Sequence, residues 1–113
     1  MKRPLRYDVL EEAIGVVQLA KPLVAIIGRK DRDLASQVRR AVSSVTLNLG
    51  EAFGNAGGNS RLRFETARGS LYEAQVGIRT AIAWGHFGPE QCREILAAME
   101  ALGARVYGLA RSV

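Results

Sequence analysis

Arginine is the residue type in this sequence whose number and spacing could support binding chemistry. The chain has 16 basic and 11 acidic residues, a formal net charge of +5, and only Lys2, Lys21 and Lys30 among the basic residues are lysine. A guanidinium group presents its N–H donors in a planar fork that fits phosphate oxygens. The composition therefore indicates a nucleic-acid partner, although a GC-rich genome would also raise Arg, Ala, Gly and Val together. The positions of the arginines along the chain have to distinguish these two explanations.

Three arginines recur at spacings that place them on one side of a predicted helix. Arg61, Arg68 and Arg79 lie within about 20° of one another at 100° per residue, with Tyr72 and Gln75 between them. A row of guanidinium groups interleaved with an aromatic ring is typical of a surface that follows phosphates and stacks bases, although such rows also occur as solvated helix flanks. We expect the three arginines to contact phosphates. Two further arginines are expected to assist: Arg39 and Arg63.

Side chains that could carry catalysis are few. His86 is the only histidine and Cys92 the only cysteine; His86 falls in a predicted turn and Cys92 at a core-facing position. A zinc site would have to be built from carboxylates, and no Glu-x-x-His spacing is present. We therefore expect a non-enzymatic protein with no metal and no cofactor. A single cysteine cannot form an intrachain disulfide, which fits a reducing, cytoplasmic location.

Four amphipathic helices are expected to position these residues. Apolar residues recur at three- and four-residue steps in four stretches that turn-forming sequences separate. Asp8, Asp33 and Ser60 are predicted N-caps, and Pro22 is expected to kink the first helix. In the third helix the predicted core positions are Phe64, Ala67, Leu71, Ala74, Ile78 and Ile82. The predicted helices span about 8–28, 33–53, 60–85 and 89–111.

These helices define one domain over residues 1–113. No stretch has the pattern of a strand, a membrane span or a signal peptide. Four helices of similar length joined by short turns predict an all-α fold, an antiparallel up-down-up-down four-helix bundle.

A polar seam runs along one side of the second predicted helix, apart from its apolar seam, and small and polar residues of the third helix face it. Small residues such as Gly69 and Gly77 are expected to let the two backbones approach closely. We expect a polar network that fixes the register of the helices or the orientation of subunits, in which every buried charge needs a partner; a functional groove is the alternative. The predicted members are Arg40, Ser44, Asn48, Glu51, Ser70 and Glu73.

The first predicted helix is apolar on two sides, whereas a helix in a monomeric bundle needs one apolar face. Leu10, Ile14, Val17 and Val24 form the side expected to face the core. Leaving the other side in water would forgo about 1.5–3 kcal/mol per large side chain, so we expect a second subunit to cover it. Rotation of the helix at Pro22 is the alternative. The predicted oligomer interface comprises Val16, Leu19, Leu23 and Ile26.

Short motifs in the second and third predicted helices resemble the signature of a known family. In chain order they are Gln37-Val38-Arg39-Arg40-Ala41, Ser44-Val45, Asn48-Leu49 and Ala67-Arg68-Gly69-Ser70-Leu71-Tyr72-Glu73. The family is that of the four-helix-bundle proteins named for the intervening sequences of bacterial 23S ribosomal RNA. Its name records where some of the genes lie and implies no activity.

The resemblance implies a cytosolic bundle that assembles as a homopentamer with a central channel. It also implies similarity in fold to the accessory variability protein of diversity-generating retroelements, a basic pentamer that engages a reverse transcriptase and nucleic acid. These implications concern fold and assembly more than function.

Two functions from different classes are compatible with these patterns. The first is a non-enzymatic, homo-oligomeric accessory protein that binds nucleic acid, with RNA favoured over DNA, through a basic surface. The second is a protein-interaction scaffold with no direct nucleic-acid contact, in which the basic charge serves solubility or an acidic partner protein. No membrane is expected in either case.

Overall fold

Four α-helices build the protein, and the computed structural model describes residues 5–54 and 58–113, with side chains from residue 8 onward. No strand occurs among these residues. Along the chain, α1 packs on α2, α2 on α3 and α3 on α4, and α4 returns to contact α1. This arrangement confirms the predicted four-helix bundle. The helices are α1 (Leu5–Lys30), α2 (Arg32–Gly54), α3 (Ser60–Ala83) and α4 (Pro89–Arg111).

The core between the helices is wholly apolar, since no polar or charged side chain is buried among the described residues. Leu49 of α2, Ile78 of α3, and Ile95, Met99 and Leu102 of α4 are among its largest fully buried side chains. Removing such side chains from water is the main source of stability in a bundle of this size. Every charged group described below therefore lies on the surface or at the edge of a helix contact.

The helix boundaries differ from the sequence-based ones at several caps. α1 continues past Gly28 to Lys30 and includes Pro22, and Asp8 lies in its first turn. The N-cap of α2 is Asp31, not Asp33: the Leu34 N–H donates to Asp31 Oδ1 at 3.0 Å. An Asp at this position satisfies one of the helix's free N–H groups, so the connection between α1 and α2 shrinks to one residue.

Asn59, not Ser60, is the N-cap of α3, and its side chain makes no capping hydrogen bond. The Ser60 hydroxyl donates to the Ala52 carbonyl at 3.0 Å and so ties the start of α3 to the end of α2. The intervening loop includes residues 55–57, which lie outside the described part of the chain. α4 starts at Pro89, as its sequence indicates, and the Gly88 N–H before it donates to Gln91 Oε1 at 3.0 Å.

The buried stripe of α1 lies between the two apolar sides predicted from periodicity, and it comprises Val9, Ala13, Val16, Ala20, Leu23 and Ile27. Val16 and Leu23 are 2% and 6% exposed and lie inside the chain's own core, and Leu19 and Ile26 are partly buried against it. Val16 and Leu23 of the predicted oligomer interface are therefore corrected to core residues, whereas an interface role for the partly buried Leu19 and Ile26 stays a prediction. Ile14 and Val17 of the predicted core side are exposed instead, and Leu10 and Val24 are partly buried against the core. The two sides have similar hydrophobicity, so periodicity could not decide which one faces α2 and α4.

Helices α2 and α3 approach closely at Gly77. A Cβ built on Gly77 would lie 2.6 Å from Val38 Cγ2, well inside van der Waals contact. Gly69, the second position at which close approach was predicted, is exposed and has no neighbouring atom within 4 Å of such a Cβ. The expected small-residue contact therefore exists at one of the two glycines.

Candidate nucleic-acid interface

The outer surface of α3 carries the arginine row that the spacing predicts. Arg61 and Arg79 are exposed, and neither forms a hydrogen bond or ion pair with the described residues. At 1.5 Å per residue they lie about 27 Å apart along the helix axis. Their N–H donors are open to an incoming anion along most of the length of the bundle.

Arg68, the middle residue of the row, lies at the contact between α3 and α4. Its Nη1 is 3.0 Å from Glu65 Oε1, one turn earlier on the same helix. The Arg68 guanidinium carbon lies 4.6 Å from the centroid of the Tyr107 ring on α4. Arg68 therefore has a fixed position between a carboxylate and an aromatic ring, whereas Arg61 and Arg79 extend into solvent.

Tyr72 is the aromatic residue of the row, and it is 69% exposed. Together with Arg79 and Gln75 it lines a shallow cleft of about 420 Å³ between α3 and α4, which Leu96 and Glu100 border from α4. An open tyrosine ring beside a free guanidinium offers a nucleobase a face to stack on and its phosphate a cation. The predicted stacking residue is therefore placed where a ligand can reach it.

The opposite flank of α3 contains a chain of polar contacts with α2. The Ser44 and Ser70 hydroxyl oxygens are 2.7 Å apart, and Asn48 Nδ2 donates to the Ser44 carbonyl at 2.9 Å and to its hydroxyl at 3.0 Å. Arg63 Nη1 donates to Asn48 Oδ1 at 3.4 Å, and Arg63 Nη2 is 3.7 Å from Glu51 Oε2. The structure thus brings together four of the six predicted network residues and adds Arg63.

Arg40 and Glu73, the other two predicted members, are exposed and make no hydrogen bond or ion pair in the described part of the chain. Arg63 does not join the arginine row, because its guanidinium faces α2. Its Nε is buried and has no hydrogen-bond partner among the described residues. The network is half-buried and joins α2 to α3; that it fixes their register stays a prediction.

Arg39 lies on the far side of α2 from α3. It borders a mainly apolar groove of about 320 Å³ between α1 and α2, with Val17, Ala20, Lys21 and Val24 contributed by α1. Arg39 and Lys21 are exposed and unpaired within the described chain. The five arginines predicted to bind nucleic acid therefore do not form one surface, and Arg39 belongs to a different surface from Arg61 and Arg79.

Tyr107 and Arg111 on α4 are ligand-accessible residues that sequence reasoning missed. Arg111 Nη1 donates to Tyr107 Oη at 3.3 Å, and its guanidinium carbon lies 5.5 Å from the centroid of the same ring that Arg68 contacts. Their separation of four residues is a readable signal, since such pairs meet on a helix surface. The approach of Arg68 to Tyr107 depends on the packing of α3 against α4.

Groups that could support catalysis are dispersed. Cys92 is fully buried, and burial raises the pKa of its thiol above the ordinary value of 9.0. His86 lies half-buried in the turn after α3, with its Nε2 buried and unbonded among the described residues. Over the same residues, no three His, Cys, Asp or Glu side chains form a group that could hold a metal ion. That the protein is not an enzyme stays a prediction.

Comparison with known proteins identifies the family. A protein family described as 23S rRNA-intervening sequence protein matches this sequence over residues 7–108. The chain belongs to this family. No curated protein and no solved structure matches it. The match to the 23S rRNA-intervening sequence proteins spans parts of all four helices and confirms the family resemblance in the sequence.

In the part of this family member that the structure describes, none of the helices combines the length and apolarity needed to cross a membrane.

Proposed function

We propose that this protein is a non-enzymatic, homo-oligomeric accessory protein that binds nucleic acid, RNA in preference to DNA. The observation that carries the proposal is the arginine row of α3, in which Arg61 and Arg79 are exposed on either side of the exposed Tyr72 and have no partner among the described residues. Tyr72 can stack only on a base that is not already paired and stacked within a duplex. Single-stranded and looped regions of RNA offer such bases.

The interaction is expected to be largely independent of sequence. Arginines that contact phosphates displace the cations condensed on the nucleic acid. The logarithm of the affinity therefore falls with the logarithm of the salt concentration, with a slope of about −0.7 per phosphate contact on a single strand. Three contacts on one chain give weak binding. Several chains in one assembly would raise the overall affinity, because the contacts that follow the first one become intramolecular.

The outward apolar side of α1 supports the oligomeric part of the proposal. Ile14 and Val17 are 37% and 36% exposed, and Val17 and Val24 line the groove against α2. A second copy seated on this groove would remove these side chains from water, with a gain of about 25 cal/mol per Å² of apolar surface. Assembly would also repeat the arginine row around the particle.

Light scattering tests the assembly. A homopentamer, which the family resemblance implies, would have five times the 12.3 kDa mass of one chain. Val17→Glu is expected to disperse the assembly without unfolding the bundle, because Val17 lies at the rim of the core. A particle of 12.3 kDa at tens of micromolar protein would overturn this part of the proposal.

Nucleic-acid binding is tested with fluorescein-labelled RNA, single-stranded and hairpin, and with DNA of the same sequence. The triple variant Arg61→Glu, Arg68→Glu, Arg79→Glu is expected to weaken RNA binding at least about 30-fold, since three attractive contacts become repulsive. The matched control carries the same change in net charge away from the row. It is Arg29→Glu, Arg32→Glu, Arg93→Glu, all at exposed positions.

Two results would contradict RNA binding through this row. One is the absence of binding by the wild-type protein at micromolar concentration and low salt. The other is an equal loss of affinity in the triple variant and in its control, which would show a general effect of charge.

A protein-interaction scaffold is the second candidate, and exposed apolar side chains favour it. Leu47 on α2 and Leu62, Val76 and Trp84 on or just after α3 all lie in solvent. Apolar surface of this kind often marks contact with another protein. Affinity purification with and without nuclease separates the candidates: a partner protein retained after nuclease treatment supports the scaffold, and loss of the partner with the RNA supports nucleic-acid binding.

A further inference from the structure

We propose that Arg68, Tyr107 and Arg111 form a phosphate-binding site, in which a phosphodiester group of bound RNA lies between the two guanidinium groups. We call these three residues the Tyr107 site. The inference rests on the proposed RNA binding and extends it to residues of α4, which the arginine row of α3 does not include.

One aromatic ring positions both cations of the site. The guanidinium carbons of Arg68 and Arg111 lie 4.6 Å and 5.5 Å from the centroid of the Tyr107 ring. Both distances are within the range in which the electron-rich face of an aromatic ring attracts a cation. Arg111 is additionally held through the hydrogen bond from its Nη1 to Tyr107 Oη. Both cations are thus held against the same ring before any ligand arrives.

The charge of the site is not balanced by the protein. Glu65 pairs with Arg68 at 3.0 Å, and this is the only ion pair that either arginine makes with the described residues. Two cations and one carboxylate leave a positive surplus, and among the described residues Arg111 has only the neutral Tyr107 as a hydrogen-bond partner. A phosphate supplies both the missing negative charge and several acceptor oxygens, which guanidinium groups bind in pairs.

The Tyr107 site is continuous with the arginine row. Because α3 and α4 are antiparallel and Arg68 contacts Tyr107, the chain of α4 runs from Tyr107 toward the end of the bundle at which α3 begins. Arg111 is one turn farther along, about 6 Å, and Arg61 is about 10 Å from Arg68 along α3. Arg111 therefore lies between the levels of Arg68 and Arg61, where a strand that follows the row would pass.

A purely structural role for the Tyr107 contacts is the competing explanation, and substitutions at Tyr107 and Arg111 separate the two. Arg111 is the last residue of α4 and is exposed, so Arg111→Ala leaves the bundle intact. Tyr107→Leu removes the ring that positions both guanidinium groups, whereas Tyr107→Phe keeps it. Arg93→Ala is the matched control, because Arg93 is an exposed arginine near the other end of α4.

The experiment titrates fluorescein-labelled single-stranded RNA with each variant over a series of salt concentrations. Arg111→Ala is expected to weaken binding about 3- to 10-fold and to reduce the salt slope by about 0.7, the value for one phosphate contact on a single strand. Tyr107→Leu is expected to lose a similar factor, Tyr107→Phe less than about 2-fold, and Arg93→Ala little. Circular dichroism verifies that each variant is folded.

The outcomes distinguish this site from the proposed function. If Arg111→Ala and folded Tyr107→Leu bind RNA like the wild type, while the triple glutamate variant of the row does not bind, the Tyr107 site is wrong and RNA binding by the row stands. If the affinity falls but the salt slope of Arg111→Ala is unchanged, no phosphate contact was lost and the site is also wrong. If the wild-type protein binds no RNA, both proposals fall.

Discussion

The two flanks of α3 carry the same residue type and use it in opposite ways. On the flank toward α2, Arg63 reaches Asn48 and Glu51 and belongs to the polar contacts that join the helices. On the outer surface and the flank toward α4, Arg61 is exposed with no partner in the part of the chain that the structure describes, and Arg68 lies on the Tyr107 ring. Arg61 and Arg63 are two residues apart, which is 200° around the helix, and this rotation separates a structural arginine from an available one.

Arginine therefore has two roles on α3: it joins helices on one flank and is available to a ligand on the other. Arg63 has little left to offer a phosphate, because its Nη atoms face an amide oxygen and a carboxylate of α2 and its Nε is buried. A guanidinium in solvent retains all its donors and exchanges only water for the ligand. The flank toward α2 should therefore respond to substitution in stability, and the outer surface in ligand binding.

The largest expected difference in stability is between Gly77 and Gly69. Gly77→Ala places a Cβ 2.6 Å from the stiff, buried side chain of Val38 and should lower the free energy of unfolding by about 1–3 kcal/mol. The Cβ that Gly69→Ala adds has no atom within 4 Å. This substitution should raise the free energy of unfolding by about 0.5–1 kcal/mol, because alanine is the better helix former. Urea unfolding followed by circular dichroism measures both values.

Val38→Ala in the Gly77→Ala background is the control for the steric cause. The smaller side chain should make the Gly77→Ala substitution less costly than it is beside Val38. Equal stability of the Gly77→Ala and Gly69→Ala proteins would show that α2 and α3 do not approach closely at Gly77.

The next largest effects are expected at Arg63 and Arg61, where substitution of Arg63 should change stability and substitution of Arg61 should change RNA affinity. Arg63→Ala should lower the free energy of unfolding by about 0.5–1 kcal/mol, since its contacts are half-exposed, and leave RNA affinity within about 2-fold. Arg61→Ala should leave stability unchanged and weaken RNA binding about 3- to 5-fold. Unfolding curves and fluorescence titrations on the same two proteins provide the four values. Weaker RNA binding by Arg63→Ala than by Arg61→Ala would reverse the assignment of the flanks.

The smallest expected effect is the coupling between Ser44 and Ser70. Each single change to alanine removes one partner of the 2.7 Å hydrogen bond, whereas the double change removes both. The double variant should therefore be about 0.5–1 kcal/mol more stable than the sum of the single effects predicts. Additive effects in a double-mutant cycle would mean that the hydrogen bond between the two hydroxyls does not contribute to stability.

Sequence reasoning succeeded where one helix contains the whole signal. In α3, Phe64, Ala67, Leu71, Ala74 and Ile78 are buried at the predicted three- and four-residue steps. Ile82, the last predicted position, is partly buried, and Ala81 takes the fully buried place beside it. The angular position of Arg61 and Arg79, outside this buried stripe, follows from the same periodicity.

Reasoning from one helix failed where the answer depends on a neighbour. α1 has two apolar sides of similar strength, and its contacts with α2 and α4 bury Val16 and Leu23, which sequence reasoning had assigned to the exterior. The capping side chain of α2 was misplaced by two residues because Asp31 and Asp33 are chemically equivalent candidates. Family resemblance also could not place these details, since it concerns the fold as a whole.

The sequence by itself determined the number and type of the elements, the apolar stripes of α2, α3 and α4, and the side of α3 on which the arginine row lies. Tertiary structure alone decided which side of α1 is buried, that Arg63 belongs to the contact with α2, and that Arg68 and Arg111 share the Tyr107 ring. The reason is physical. Periodicity fixes where a side chain lies around its own helix axis, but the rotation and axial register of one helix against another depend on how side chains from both helices fill the space between them.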